Sequence, residues 1–394
     1  RLVGLHSLTE LYLADTDVDD RIAGALVLLP RLIALDLSGT RITDGALTAF
    51  ATLTALRELS LSNTAITDRS VEAISGLGTL EMLNLSDTAI DDGAAAPLAR
   101  LPRLTALFLD GSSVGDRGLI ALAPSFAHLE VLHLARTPIT EVGLAQLAKA
   151  TQLRELSLFA TRTTDRALSM LASMPNLEIL DLADTAVTDR GVAKLPPLPH
   201  LTALDLSRTS VGDAALASIV NHRSLQVLGL NKTHVSSRGV AFIAALTDLH
   251  ALGLGETGLT DEGLRHLGGL EQLERLYLYG NVAVSDAGLA ALGGLHRIAI
   301  LDISVTRTTD ASGKWLATLP LTELDATTTM IGDATIALLA GKRSLRVLKV
   351  GETAVSDQSI PVIAGLPLRE LALEDAKVHG RNLAPIGNIQ SLEV

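Results

Sequence analysis

One phrase recurs sixteen times along this chain, and a fixed period of that length constrains the fold more than any local motif does. Leu8, Leu32, Leu56, Leu80, Leu104, Leu129, Leu153, Leu177, Leu201, Leu225, Leu249, Leu273, Ile298, Leu321, Leu345 and Leu368 each open a copy, and only four of the spacings depart from 24 residues. With the opening residue as position 1, the phrase reads LxxLxLxxTxITDxGLxxLxxLxx, as from Leu32 to Ala55 or from Leu249 to Gln272.

Positions 1, 4 and 6 are apolar, and the period of two around position 5 places 4 and 6 on one face of a short strand with 5 turned the other way. After a Thr at position 9 and an aliphatic at 11, an Asp at 13 precedes apolar residues at 16, 19 and 22, such as Leu47, Phe50 and Leu53. A spacing of three predicts a short helical segment with one buried stripe. Each repeat thus offers roughly seven inward side chains, worth about 2 kcal/mol apiece when buried. Ordering two dozen residues costs more than that, at roughly 1.5 kcal/mol each. A repeat alone is therefore unstable, and the fold must come from stacking neighbours.

The LxxLxL phrase, present in nearly every copy, resembles the leucine-rich-repeat family, and the resemblance extends over almost the whole chain. It implies an α/β fold: a right-handed curved solenoid, or horseshoe, of about sixteen repeats with a concave parallel sheet and short helices on the convex side. Strands about 4.8 Å apart facing helices that need about 8 to 10 Å force such a stack to bend, and sixteen strands give a ladder roughly 75 Å long. Within the family, the ITDxGL phrase is similar to the repeats of F-box leucine-rich-repeat proteins and of effectors from bacterial plant pathogens. Those relatives place Asn or Cys at position 9, whereas thirteen repeats here carry Thr, with Ser112, Asn281 and Ala376 as exceptions.

No linker-like stretch interrupts the period, so residues 1–394 read as one repeat domain: 1–7 the end of a preceding repeat, 8–391 the sixteen copies, 392–394 the start of another. Leu2 and Leu5 correspond to Leu26 and Leu29, and both ends read as cut from a longer protein. The divergent last copy, with Ala376 for Thr and Gly380 for Asp, suggests that the true C-terminal end is near. Pro196, Pro197 and Pro199 should shorten the helix of their repeat.

The formal charge is −12, yet thirteen of the 44 acidic residues are the Asp at position 13, and the other 31 balance the 32 Lys and Arg. An Asp opening a helix accepts backbone N–H bonds and meets the positive end of the dipole, so the excess is structural. There is no Lys/Arg stripe for nucleic acid and no run of eighteen apolar residues to span a membrane. Cysteine is absent, which excludes disulfide caps and a thiol nucleophile and favours a reducing compartment or a bacterial origin. Arg outnumbers Lys 25 to 7. The expected location is a bacterial cytoplasm, with delivery into a host cell if the effector resemblance holds.

Motifs that carry chemistry are missing: no GxxxxGK[ST], GxSxG or HExxH, and no Cys-based metal spacing. The ten His are scattered, and His222, at position 22, reads as a partly exposed residue near a helix C-terminus. Position 5 stacks Asp181 on Asp205 and Asp302 on Asp325. Solvated acidic patches are the ordinary outcome of such pairs. The expectation is a chain without catalysis of its own, without metal or cofactor, binding a protein.

The rare aromatics say where. Of nine Phe, Trp and Tyr, five fall at the outward positions 5 and 7: Tyr12, Phe108, Phe159, Tyr277 and Tyr279. Exposed aromatics are what interface hot spots are made of. Adjacency of repeats gathers Phe108, His133, Arg136 and Phe159, with Arg162 nearby, and separately Tyr277 and Tyr279 with Lys232, His234 and His250. A one-residue insertion within Gly280 to Val284 lengthens the loop after Tyr279. The Thr at position 9 should bond the turn and the next repeat, and Trp315 is either a packing wedge or a second contact. Two readings follow from the resemblance: a bacterial effector that engages a host protein through its concave face, or the substrate-recognition arm of a ubiquitin ligase whose F-box or catalytic domain lies elsewhere.

Overall fold

A computed structural model describes residues 5–379 and 383–393; the expectations for Leu2, Gly380 and Val394 fall outside them. The chain divides into two compact units, 1–201 and 202–394, at the boundary between the eighth and ninth repeats.

The first unit carries eight strands of three residues, from Glu10–Tyr12 to Ile179–Asp181, each filling positions 3 to 5 of its repeat. They are parallel, neighbours in sequence pair, and the register is one whole repeat: Ala34 faces Glu58, Leu35 faces Leu59 and Asp36 faces Ser60. The second unit repeats this arrangement from Ala203–Asp205 to Glu370–Ala372. Like positions therefore stack, and a residue's chemistry is repeated or changed one strand at a time.

The inward side chains fall as the period requires. In repeat 2, Leu35, Leu37, Ile42, Leu47, Phe50 and Leu53 are all at most 2% exposed. Position 5, represented by Asp36, is half-buried on the other face. Helical segments are three to seven residues long and mix α with 3-10 geometry. The proline cluster shortens its helix as expected: repeat 8 has Asp189–Val192 where repeat 9 has Asp213–Ile219.

The strand ladder does not stop at position 5. Position 6 donates to the position-5 carbonyl of the next repeat (Leu13 N–H to Asp36 O, 2.8 Å) and position 8 to its position-7 carbonyl (Asp15 N–H to Ser38 O, 2.8 Å). To keep this contact while the chain turns, position 8 adopts the left-handed conformation in all sixteen repeats, with φ between +48° and +70°. Only Gly39, Gly111 and Gly280 are glycines among them; the others include Arg136, Lys232 and Val305.

The acidic position 13 acts differently from a simple helix cap. The residue before it caps the helix, as when the Thr140 hydroxyl accepts from Val142 N–H. The carboxylate at 13 instead reaches into the next repeat. Asp116 accepts from Thr140 N–H at 2.7 Å, Thr140 Oγ1 at 2.7 Å and Gly143 N–H at 3.0 Å. The same stitch joins Asp20 to Thr43, Asp44 to Thr67, Asp213 to Ser236, Asp261 to Ser285, Asp286 to Thr309 and Asp333 to Ser356. Glycine at position 15 completes the joint: a Cβ on Gly143 would lie 2.6 Å from Asp116 Oδ1. Burial disfavours these anions, but the hydrogen bonds outweigh it and hold the Asp44, Asp116 and Asp333 carboxyls below the usual range.

Two expectations change. The Thr of position 9 bonds chiefly its own turn, through the carbonyl three residues back, as Thr40 Oγ1 does to Leu37 O at 2.5 Å; Thr257 reaches the next repeat as well, at Asn281 Oδ1 3.2 Å away. Asn281, the exception, does join repeats, donating to Leu254 O and to Leu278 O at 2.8 Å each. A short hydroxyl reaches one carbonyl; an amide spans two. His222 is buried, at 7% exposure, because position 22 stays an inward position whatever occupies it.

Candidate protein-binding face

In the first unit, consecutive strands carry Asn84, Phe108, His133 and Ser157 at position 5. Phe108 and His133 are half-buried and meet edge to face, with ring centroids 4.7 Å apart and planes at 72°. Such a pair is favoured by the ring quadrupole. His133 is held on both sides: Nε2 lies 2.8 Å from Glu155 Oε1, and Nδ1 lies 3.6 Å from Asp110 Oδ2. Burial opposes protonation of the ring, but the bonds and charges of Asp110 and Glu155 win and raise its pKa above the ordinary histidine value. Asp110 is itself fixed by Ala135 N–H at 2.6 Å.

Arg136 leaves the sheet from its left-handed position 8 and crosses a whole repeat. Its Nη2 donates to Asp87 Oδ1 at 2.9 Å and Oδ2 at 3.2 Å. The crossing needs the bare Gly111 in between, where a Cβ would stand 2.1 Å from Asp87 Oδ1 and 3.3 Å from Arg136 Nη2. Phe159 is half-buried one repeat on, with no ring contact among the described residues, and Arg162 is exposed beyond it. Tyr12 stands apart from this group, 62% exposed, its hydroxyl donating to Glu10 Oε2 at 3.2 Å.

In the second unit, Tyr279 lies over Gly255, whose absent side chain leaves room for the ring; a Cβ there would be 2.2 Å from it. Burial raises the Tyr279 hydroxyl pKa, while the nearby positive charge of Lys232 opposes the rise. Lys232 itself pairs with Glu256 at 2.8 Å. Tyr277 pairs in register with Gly253 on one side and Asp302 on the other. His234 is exposed at position 10, on the rim. His250 bonds Asp248 O at 2.7 Å ahead of the strand Ala251–Gly253, at the end of the ladder opposite to Tyr279.

The aromatics are legible in the sequence, whereas their frame of Asp87, Asp110 and Glu155 is not. Glu155 sits at position 3 and Asp110 at position 7, each one repeat from His133, a pattern visible only once the one-repeat register is known. Trp315 is half-buried in the helix Gly313–Thr318, with its indole N–H shielded and unbonded. Among the described residues no three His, Asp or Glu side chains converge as metal ligands, and no helix is long and apolar enough to cross a membrane.

Family models described as leucine rich repeat match residues 30–90 and 54–114, and again 173–195 and 198–220. No curated protein matches the chain by sequence. Among solved structures, the fold is similar to a leucine-rich-repeat protein of Leptospira interrogans (TM-score 0.61, 19% identity, 100% of this chain and 96% of that one). It is also similar to an internalin of Listeria monocytogenes (TM-score 0.55, 23% identity, 77% of this chain and 89% of that one). At these identities the likeness is one of fold. The matched repeats, the one-repeat register of parallel strands and the short helices opposite them agree, and the chain has a leucine-rich-repeat fold.

Proposed function

We propose that this protein is a binding scaffold that reads a partner protein on the outward face of its sheets, through the Phe108–His133–Phe159 group and the Tyr277–Tyr279 group. The observation that carries the reading is the placement of half-buried rings at positions the repeat leaves free. The solenoid needs nothing aromatic at positions 5 and 7, since Ser, Asp, Ala and Gly occupy them elsewhere. Rings with one face covered and one open suit hot spots, and the charged frame around His133 fixes that ring and the Phe108 ring against it before a partner arrives.

The resemblance of the ITDxGL repeats to those of plant-pathogen effectors supports a host protein as that partner and a bacterial protein delivered into the host as its reader. The decisive comparison is capture of partners from host-cell extract by the native chain and by Phe108→Ala/Phe159→Ala, with melting curves for both. Lost capture at unchanged stability supports the reading, whereas lost stability with unchanged capture assigns the rings to the scaffold. Co-purification of ubiquitin-ligase subunits would replace the effector reading with the recognition-arm one.

A further inference from the structure

On the outward face of the second unit, a cavity of about 170 Å³ opens over the strands of repeats 12 to 15. Position 5 supplies Tyr277, Asp302, Asp325 and Lys349 in strict register across it. Glu323 and Val347, at position 3, complete the walls.

The polar groups are not satisfied equally. Asp302 Oδ1 accepts from Ser304 N–H at 3.0 Å and Ser304 Oγ at 2.7 Å, and Asp325 Oδ1 from Thr327 N–H at 3.0 Å. Their Oδ2 atoms accept nothing from the described residues. Lys349 makes its ion pair with Glu370 Oε1, at 2.7 Å, and offsets the charge of Asp302 and Asp325 only in part, without a hydrogen bond to either. Burial, reinforced by the charge of Asp325, raises the Asp302 pKa. Two carboxylates on neighbouring strands, about 5 Å apart, thus share one cavity with an aromatic ring at its end.

We propose that this cavity receives the guanidinium end of one arginine side chain of the partner protein, stacked on Tyr277 and donating to Asp302 and Asp325. The volume is too large for a bare ion and too small for a peptide segment. Glu323 is a third acid on the wall, but among the described residues it does not converge with Asp302 and Asp325 as metal ligands would. A guanidinium is planar, weakly hydrated and forked, so it can bridge two acceptors while lying on an aromatic face, which a compact ammonium cannot. Lys349 at the far end repels a second cation. The inference rests on the scaffold reading and adds the chemistry of one contact.

The test uses the full chain and two blocked tripeptides, acetyl-Gly-Arg-Gly-amide and its citrulline counterpart, which has the same shape without the charge. Titration calorimetry should give a dissociation constant about tenfold lower for the arginine peptide, the equivalent of about 1.4 kcal/mol. Asp302→Asn/Asp325→Asn should abolish that preference, Asp325→Asn alone should weaken it severalfold, and Tyr277→Leu should weaken it too; melting curves certify each variant. Equal binding of the two peptides, or an arginine preference that survives in a folded double Asn variant, overturns the proposal. Phe108→Ala/Phe159→Ala leaves the cavity untouched, so partner capture kept there with peptide preference intact counts against the cluster of the first unit and not against the cavity.

Discussion

Replacing Asp116 with alanine should loosen the joint between repeats 5 and 6 without disturbing either core. The substitution strands three donors: Thr140 N–H, Thr140 Oγ1 and Gly143 N–H, which now bond the carboxylate at 2.7, 2.7 and 3.0 Å. A hydrogen bond to a charged group contributes about 1.5–3 kcal/mol when buried. Asp116 is half-exposed, so water replaces part of it, which leaves about 1 kcal/mol for each backbone donor and less for the hydroxyl, which can turn to solvent. The sum is about 2–3 kcal/mol. Repeat arrays do not always unfold in one step, so the sharper readout is local. Amide exchange at Thr140 and Gly143 should quicken by roughly 30-fold to 140-fold, following about 1.4 kcal/mol per decade. Asp116→Asn keeps one oxygen for both N–H groups and should cost under about 1 kcal/mol. The folded carboxyl has a depressed pKa. Its stabilisation is therefore complete above the unfolded value of about 3.9 and is lost as pH falls through the folded value; the Asn variant should lack that acid dependence. A change under about 0.5 kcal/mol for the Ala variant, or native exchange rates at those two amides, would refute the inter-repeat role.

His133 has a raised pKa, so its contribution is full below about pH 6.5 and fades as pH rises through the folded value; chemical denaturation across that range should show a slope that His133→Gln removes. Val305 holds a β-branched side chain at φ +55° and 42% exposure, so Val305→Asn, which suits the left-handed region, should stabilise by about 1 kcal/mol in a thermal melt. Gly143→Ala should destabilise by about 1–3 kcal/mol although alanine is the better helix former, because the new Cβ meets Asp116 Oδ1 at 2.6 Å; a rise in melting temperature would contradict the close-approach argument.

The period made the strands, the inward positions and the helical stripe legible, since those depend on which side chains leave water. What it hid were relations between repeats. Position 13 reads as a helix cap in one dimension, and nothing in a single copy tells an acceptor for its own helix from one for the next. Position 8 looked free because its constraint lies on the backbone: Asp15, Asn63, Asp87 and three glycines hint at a left-handed residue, but Arg136, Lys232 and Val305 conceal it. For the candidate site, aromatic scarcity picks out positions 5 and 7. The acidic partners of His133 and the cavity beside Tyr277 arise from which residues stack across strands, and they surfaced with the register.

The left-handed residue at the end of every strand has an evolutionary consequence. Because the turn there is fixed by main-chain bonds to the next repeat, the side chain itself contributes nothing obligatory and is launched sideways over its neighbours, as Arg136 is toward Asp87, Lys232 toward Glu256 and Thr328 toward Glu352. Each repeat therefore exposes one letter that can be rewritten without touching the grammar of the stack. A lineage under pressure to follow a changing partner could edit the thirteen letters that are not glycine, singly or in neighbouring pairs, and new specificity would arise there sooner than by rebuilding the sheet.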